Sequence, residues 1–411
     1  FHTRWLNMMY PRLYLARNLL REDGIIFISI DDNELSNLRK MCDEIFGEEN
    51  FIEQIIWKKR YQGAKEKHLV SIHEYILMFA KNKDLLPPTY IPITDEYIQR
   101  YYKYKDEQYD LRGAYRTQPL EAGKSMGERK NLVFPIKAPD GTDVLPIRQW
   151  IWENERVQQA LKNKELDFKK DKDGTWSVSI KQYLRDIDGT VRETKPFSII
   201  DDVFTQHGTQ EIANLFGNGN IFPFPKPSTL ISKLIQIALS PDETNIILDF
   251  FAGSATTAHA VLDLNKEVNR NSKFIMVQLP EPCDEDSDAF KAGYKTISDI
   301  GKERIRRVIK KIKEEQKNKV KDAQGALPGM AKDIPALDLG MKIFKLDRST
   351  FKIWDGSKTD VSEEEIVKQL TLHIEHIDPH ASQEDILYEL LLKAGFMPTE
   401  KVLKLDMTGD R

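Results

Sequence analysis

The chain has 411 residues, 40% hydrophobic and 31% charged, which is enough material for two or three domains with sizeable cores. Its net charge of −4 excludes a uniformly basic nucleic-acid coat but leaves room for a local basic cleft. No uncharged apolar run approaches the ~20 residues of a membrane span, and FHTRWLNMMYPR lacks the apolar core of a signal peptide, so a cytoplasmic protein is expected.

Residues 5–21 carry Leu6, Met9, Leu13, Leu15, Leu19 and Leu20 at helical spacing, and Asp23-Gly24 stops that helix. GIIFISID follows as a buried strand, then ELSNLRKMCDEIF as a second helix ended by Gly47. Such alternation is the grammar of a parallel α/β sheet. Residues 51–59 and 73–82 read as a hairpin. From about 83 to 200 the periodicity is lost among Pro-rich joints and scattered aromatics, as in an inserted domain of mixed structure. From 228 onward the alternation resumes: helix STLISKLIQIAL, strand NIILDF, helix TTAHAVLDLN, strand KFIMVQL and a helix over 291–316. A linker is expected at 321–333, then a strand MKIFKL and two helices. Ser362 to Glu365 and Ser382 to Asp385 have capping-box spacing. Cys42 and Cys283 are too few for a disulfide framework and have no neighbour at metal-ligand spacing, so no metal site is expected.

The chain starts at Phe1, without methionine, inside what reads as a helix, and a longer product is expected.

ILDFFAGSATTAHAVL (247–262) sets a strand ending in Asp249 against a small-residue turn at Gly253 and a helix start. This places backbone N–H groups at the carboxyl edge of a sheet, where open α/β sheets bind ligands. A tight turn with no ligand reads equally well from these residues alone. A phosphate loop does not, because the turn has one glycine and no Gly-Lys-Ser/Thr follows.

Upstream lies FPFPKPSTLISKLI, and the next strand, FIMVQLPEP, ends in Gln278. With GIIFISIDDNE, this set resembles the permuted β-class of amino-methylating DNA methyltransferases, and most closely the modification (Mod) subunit of type III restriction-modification systems. The resemblance covers essentially the whole chain. It implies an α/β, Rossmann-like methyltransferase sheet, parallel with a terminal hairpin and incomplete at the N-terminus, carrying an inserted target-recognition domain. On that pattern residues 1–84 and 201–320 form the methyltransferase part, with S-adenosylmethionine bound by the latter. Residues 85–200 form the insertion, and 334–411 the last strand and a helical region.

In the family the cofactor motif reads D-x-F-x-G-S/T-G-T-T. Carried over, Asp249, Phe251, Ala252, Gly253, Ser254 and Thr256 line the cofactor, while Lys226, Pro227 and Ser228 close the site. Gln278 stands where many relatives have glutamate for the ribose hydroxyls. Ala255 replaces a usual glycine, and its methyl is expected to crowd the cofactor. The catalytic loop, Asp/Asn/Ser-Pro-Pro-aromatic, is not found: LPPTY (86–90) and Asp378-Pro379-His380 do not match it. In β-class order it belongs upstream of Phe1, so this chain alone is expected to be inactive, with its sheet lacking one strand.

The resemblance implies adenine-N6 methylation of double-stranded DNA. The alternative is a noncatalytic recognition or scaffold subunit, and a third reading is methylation of RNA or a small molecule. In the insertion, Tyr101, Lys103, Lys105, Arg112, Tyr115 and Arg116 interleave rings with cations, as DNA contacts do; an ordinary tyrosine-rich packing face is the plainer reading. KERIRRVIKKIKEE (302–315) reads as a docked helix, with Ile305, Ile309 and Ile312 inward and its arginines and lysines solvated. Ile386, Leu387, Leu390 and Leu391 suit packing within the chain, against a second Mod copy, or against the helicase-nuclease restriction subunit.

Overall fold

The computed structural model describes residues 2–63, 67–239, 245–268, 271–324, 337–351, 362–374, 377–397 and 399–403. Two compact units divide the chain, Phe1–Leu337 and Asp338–Arg411.

In the first unit, helix α1 (His2–Leu19) leads into strand β1 (Ile25–Ile30), helix α2 (Leu35–Phe46) and strands β2 (Phe51–Lys58) and β3 (His73–Ala80). β3 lies between β1 and β2 and is antiparallel to both. The two outer strands therefore run in the same direction, and α2 is a crossover between them with a hairpin strand filling the gap. The period-two pattern of β3 sorts its side chains. Leu77 and Phe79 pack with Met9 and Leu13 of α1 and Leu38, Cys42 and Phe46 of α2, while Ile76 faces the opposite cluster with Ile55 and Trp57. Buried in this way, the Cys42 thiol is pushed up to about 12 and is inert.

Residues 85–200 hold helix α3 (Asp95–Tyr101), strand β4 (Tyr115–Pro119), helix α4 (Asn154–Lys162) and strands β5 (Leu166–Lys170) and β6 (Trp176–Tyr183). β6 is the centre of an antiparallel three-stranded sheet, in the order β4-β6-β5. It has its own core of Leu120, Ile136, Trp150, Val157, Ala160 and Val178. This is the mixed structure expected between 83 and 200.

Strand β7 (Ile199–Ile200) then pairs in parallel with β2. Helices α5 (Thr205–Phe216) and α6 (Ser228–Ala238) follow, then strand β8 (Ile246–Asp249), helix α7 (Thr256–Val268), strand β9 (Lys273–Met276) and helix α8 (Ile297–Gln324). β8 and β9 form a parallel pair of their own, with no hydrogen bond to the four-stranded sheet among the described residues. The parallel sheet read from the strand–helix alternation is thus realised in two pieces. α6 spans them: Leu230 and Leu234 bury against Trp57, Ile76 and Val203, while Ile235 meets Ala260, Val261 and Leu264 of α7. Removing a side chain such as Leu234 would cost about 2–5 kcal/mol.

α8 continues through Gln324, so the first residues of the expected linker are helical; residues 325–336 lie outside those described.

In the second unit, helices α9 (Glu363–Ile374) and α10 (Gln383–Lys393) form where the capping spacing placed them. The Ser362 and Ser382 hydroxyls accept the Glu365 and Asp385 amides at 3.3 and 3.1 Å. The expected strand over 341–346 is not formed: no strand is assigned over these residues, and Leu346 is 99% exposed. An alternating run becomes a strand only when a neighbouring edge accepts its ladder of hydrogen bonds, and among the described residues of this unit no strand offers one. Of the α10 residues read as a packing face, Leu387 and Leu390 are 39% and 49% exposed. No helix among the described residues is long and apolar enough to cross a membrane.

Candidate cofactor-binding site

The turn between β8 and α7 is held at every backbone corner. Asp249 Oδ1 accepts the Phe251 amide at 3.0 Å, and Oδ2 accepts the Thr257 hydroxyl at 2.7 Å, so the carboxylate clamps the start of the turn to the first turn of α7. Ala252 donates to the Val277 carbonyl, and Gly253 donates to Gln278 Oε1 at 2.7 Å. Gly253 (φ +51°) and Ala255 (φ +59°) both sit in the left-handed region. The first residue is suited to it, whereas the second is strained. The Phe222 ring lies 3.4 Å from where a Gly253 Cβ would stand, so FPFPKP folds directly onto the turn.

The residues expected to line the cofactor fall into two groups. Phe251 is half exposed, and with Ile275 and Val277, each 49% exposed, it leaves an open apolar surface beside the turn. Ala252, Ser254 and Thr256 are buried, and the two hydroxyls are turned inward. Ser254 Oγ and Thr256 Oγ1 accept from Arg304 Nη1 at 2.9 and 2.8 Å. Ala255 is 2% exposed, and its extra methyl lies against Gly301 of α8.

On the opposite segment, Lys226 pairs with Glu74 at 3.4 Å and stands 5.0 Å from the Trp57 ring, joining the K-P segment to the β2–β3 hairpin. Glu74 also holds Lys59 at 2.7 Å. Pro227 supplies the N-cap of α6, and Ser228 behind it is buried. Its amide and hydroxyl donate to the Glu211 carboxylate at 3.0 and 2.8 Å.

Arg304, Glu211 and His259 were missed by the sequence reading. Arg304 was assigned to the solvated face of α8, yet its side chain has no exposed surface at all. Its Nη2 donates to Glu211 Oε2 at 2.8 Å and to His259 Nδ1 at 3.1 Å. Accepting there leaves the imidazole proton on Nε2, which faces Asp263 Oδ2 at 3.2 Å. Burial pulls the guanidinium down to about 10, still well above neutrality, so Arg304 meets Glu211 as a cation. One signal was available in the sequence. Ile300, Arg304, Val308 and Ile312 recur every four residues, so the arginine lies on the apolar stripe of its helix.

The six residues expected to meet DNA also divide. Tyr101, Lys103 and Lys105 are exposed, and the first two line an open groove of about 570 Å³ together with Arg100, Tyr104 and Arg116. Arg116 is partly buried and donates to Gln182 Oε1 and the Tyr97 hydroxyl. Arg112 and Tyr115 are packing residues instead, 2% and 7% exposed. Arg112 lies 4.0 Å from the Tyr183 ring and donates to Gln108 and Glu165. Among the described residues no cluster of three or more His, Cys, Asp or Glu side chains could hold a metal.

A family model described as DNA methylase matches residues 2–310. The type III restriction-modification enzyme StyLTI Mod subunit of Salmonella typhimurium is 38% identical over 313 residues, covering 76% of this chain and 46% of that protein. The EcoP15I Mod subunit of Escherichia coli is 33% identical over 354 residues, covering 76% and 52%. The type II methyltransferase M.KpnI of Klebsiella pneumoniae is 29% identical over 324 residues, covering 73% and 72%. Among solved structures, a DNA modification methylase of Thermus thermophilus complexed with S-adenosyl-L-methionine aligns at 14% identity and a TM-score of 0.32, over 75% of this chain and 79% of that one. The chain spans about half the length of the Mod subunits it matches. With the family model matched over residues 2–310 of 411, this chain belongs to the DNA methylase family.

Proposed function

We propose that this chain is the cofactor-binding and target-recognition portion of an S-adenosylmethionine-dependent DNA adenine-N6 methyltransferase of a restriction-modification system. The observation that carries the reading is the braced Gly253 turn beside an open apolar surface. Phe251, Ile275 and Val277 offer exposed apolar surface to a purine, and the Phe222 ring packs where a Gly253 side chain would stand. When bound there, S-adenosylmethionine supplies a methyl group on a sulfonium, open to in-line attack by the amine of an adenine turned out of its duplex. Asp249 holds the turn rigid, Gln278 fixes its glycine amide, and the Glu74–Lys226 pair holds the facing segment in place. Rigid placement of this kind converts binding into orientation.

The choice of adenine over cytosine rests on the Mod relatives, as do the proposed partners: double-stranded DNA, a second Mod copy and a restriction subunit. The exposed groove of the insertion is the proposed DNA-facing surface, and a cytoplasmic location is part of the same reading.

Isothermal titration of the chain with S-adenosylmethionine tests the cofactor assignment. Saturable binding is expected, and the absence of a saturable signal would overturn it. Mass spectrometry of duplex DNA methylated by the protein expressed from its natural gene tests the rest. N6-methyladenine in a fixed sequence context is the expected product. N4-methylcytosine would reassign the base, and no dependence on duplex sequence would redirect the reading to another acceptor.

A further inference from the structure

Two helices brace the two segments of the candidate site in the same way. On α5, Gly208 lies under the K-P segment so closely that a Cβ there would stand 2.3 Å from the Pro225 carbonyl oxygen. One turn on, Glu211 takes the amide and hydroxyl of Ser228. On α8, Gly301 lies under the glycine turn, where a Cβ would stand 3.2 Å from the Gly253 carbonyl oxygen. Three residues on, Arg304 takes the hydroxyls of Ser254 and Thr256. The two charged residues then meet at 2.8 Å. A single ion pair, fully buried at its Arg304 end, thus has the glycine turn at one end and the K-P segment at the other.

We propose that Arg304 is a positioning residue for the cofactor: through Glu211 it fixes the glycine turn and the K-P segment relative to each other, so that the site is set before ligand arrives. The inference rests on the cofactor reading above. Its physical basis is the fork of the guanidinium. One Nη donates to both turn hydroxyls while the other donates to Glu211 and His259, and only a planar group with several fixed N–H vectors reaches all four at once. A buried pair of this sort adds little net stability over apolar packing, but it specifies one arrangement of its neighbours.

Lysine separates the two roles. Arg304→Lys keeps a cation for Glu211 but cannot hold the hydroxyls at the same time. The double variant Arg304→Met/Glu211→Gln removes both charges together, so no unpaired charge is left buried. For each variant of the full chain, three quantities are measured: thermal midpoint, Kd for S-adenosylmethionine, and amide exchange of peptides covering residues 249–257 and 226–231, with 176–183 of β6, which packs in its own core, as the control. Arg304→Lys is expected to keep a midpoint within a few degrees of wild type while raising Kd at least fivefold. Exchange should quicken in both site peptides and stay unchanged at 176–183. The double variant should show the same exchange pattern more strongly.

A purely structural role predicts the opposite for Arg304→Lys, with midpoint and Kd recovered together, and that result would overturn the proposal. So would exchange that quickens uniformly, or in one site peptide only. If wild-type chain binds no cofactor while both site peptides respond as expected, the cofactor reading fails and the mechanical coupling stands.

Discussion

The Gly253 amide donates to Gln278 Oε1 at 2.7 Å, so the side chain at the end of β9 spends its acceptor on the turn, while Gln278 Nε2 donates to the Leu279 carbonyl at 3.2 Å. Gln278→Leu leaves the partly exposed Gly253 amide to water and should cost about 1 kcal/mol in stability. It should also weaken S-adenosylmethionine binding. Gln278→Glu keeps the acceptor and adds a charge able to meet a ribose diol, so it should bind cofactor more tightly than wild type. Calorimetric titration of the two variants side by side checks both signs.

Ala255 carries a side chain in the left-handed region, at φ +59°, where an L-residue costs about 1–2 kcal/mol. Glycine removes that strain, partly offset by its greater freedom in the unfolded chain. Ala255→Gly should therefore raise stability by up to about 1 kcal/mol, and it should leave cofactor affinity near wild type, because the lost methyl faces α8. Thermal denaturation gives the first sign and titration the second.

Much of the fold was legible because burial imposes periods. The isoleucine run of β1, the β2–β3 hairpin and the β8-turn-α7 junction each follow from spacing and from Asp or Gly at their ends. The Arg304 hub was not, because a solvated arginine and a buried one look alike in composition. Only the four-residue recurrence from Ile300 to Ile312, crossing Arg304, marks it as interior. The tyrosine-rich stretch was ambiguous for a related reason. Rings interleaved with cations suit both a DNA groove and a core edge, and the structure leaves Tyr101 and Lys103 lining an open groove while it buries Arg112 and Tyr115. The strand expected over 341–346 failed because alternation records a face but not the partner edge.

Gly208 is needed for close approach. An added methyl would meet Pro225 backbone oxygen at 2.3 Å, which cannot be relieved by rotating a side chain. Gly208→Ala must push the K-P segment off α5 and should destabilise the chain by about 1–3 kcal/mol, as overpacking does. Cofactor binding should weaken with it, since Ser228 then loses its register with Glu211. Chemical denaturation monitored by tryptophan fluorescence is informative here, because Trp57 lies under Lys226.

Asp263 supports His259 at the far end of the buried hub. Burial opposes its charge, but the His259 N–H, together with Lys266 and Lys311, outweighs that and holds the carboxyl below its ordinary value of 3.8. A carboxylate lowered on folding contributes stability that is present above its unfolded value and lost as pH falls through the folded one. Wild type should therefore lose stability progressively below about pH 4. Asp263→Asn, having no such proton to take up, should show a shallower acid slope. Midpoints measured from pH 6 down to pH 2 for the two proteins check the difference, and parallel slopes would remove Asp263 from this role.

Lys103 and Lys105 stand exposed on the insertion, Lys103 in the groove beside Tyr101 and Tyr104, and Lys105 4.2 Å from the Tyr109 ring. If this surface follows a phosphate backbone, each lysine displaces about one counterion on binding, so log K falls against log salt with a slope of about −0.9 per contact. The variant Lys103→Ala/Lys105→Ala should bind duplex DNA more weakly at low salt, equally for every sequence, with a slope shallower by about 2. Arg112→Ala tests the opposite expectation. This buried guanidinium packs on Tyr183, so its loss should lower the thermal midpoint and leave the salt slope as it was. Fluorescence anisotropy across a salt series distinguishes the two, and an unchanged slope in the double-lysine variant would move the DNA-facing surface elsewhere on the chain.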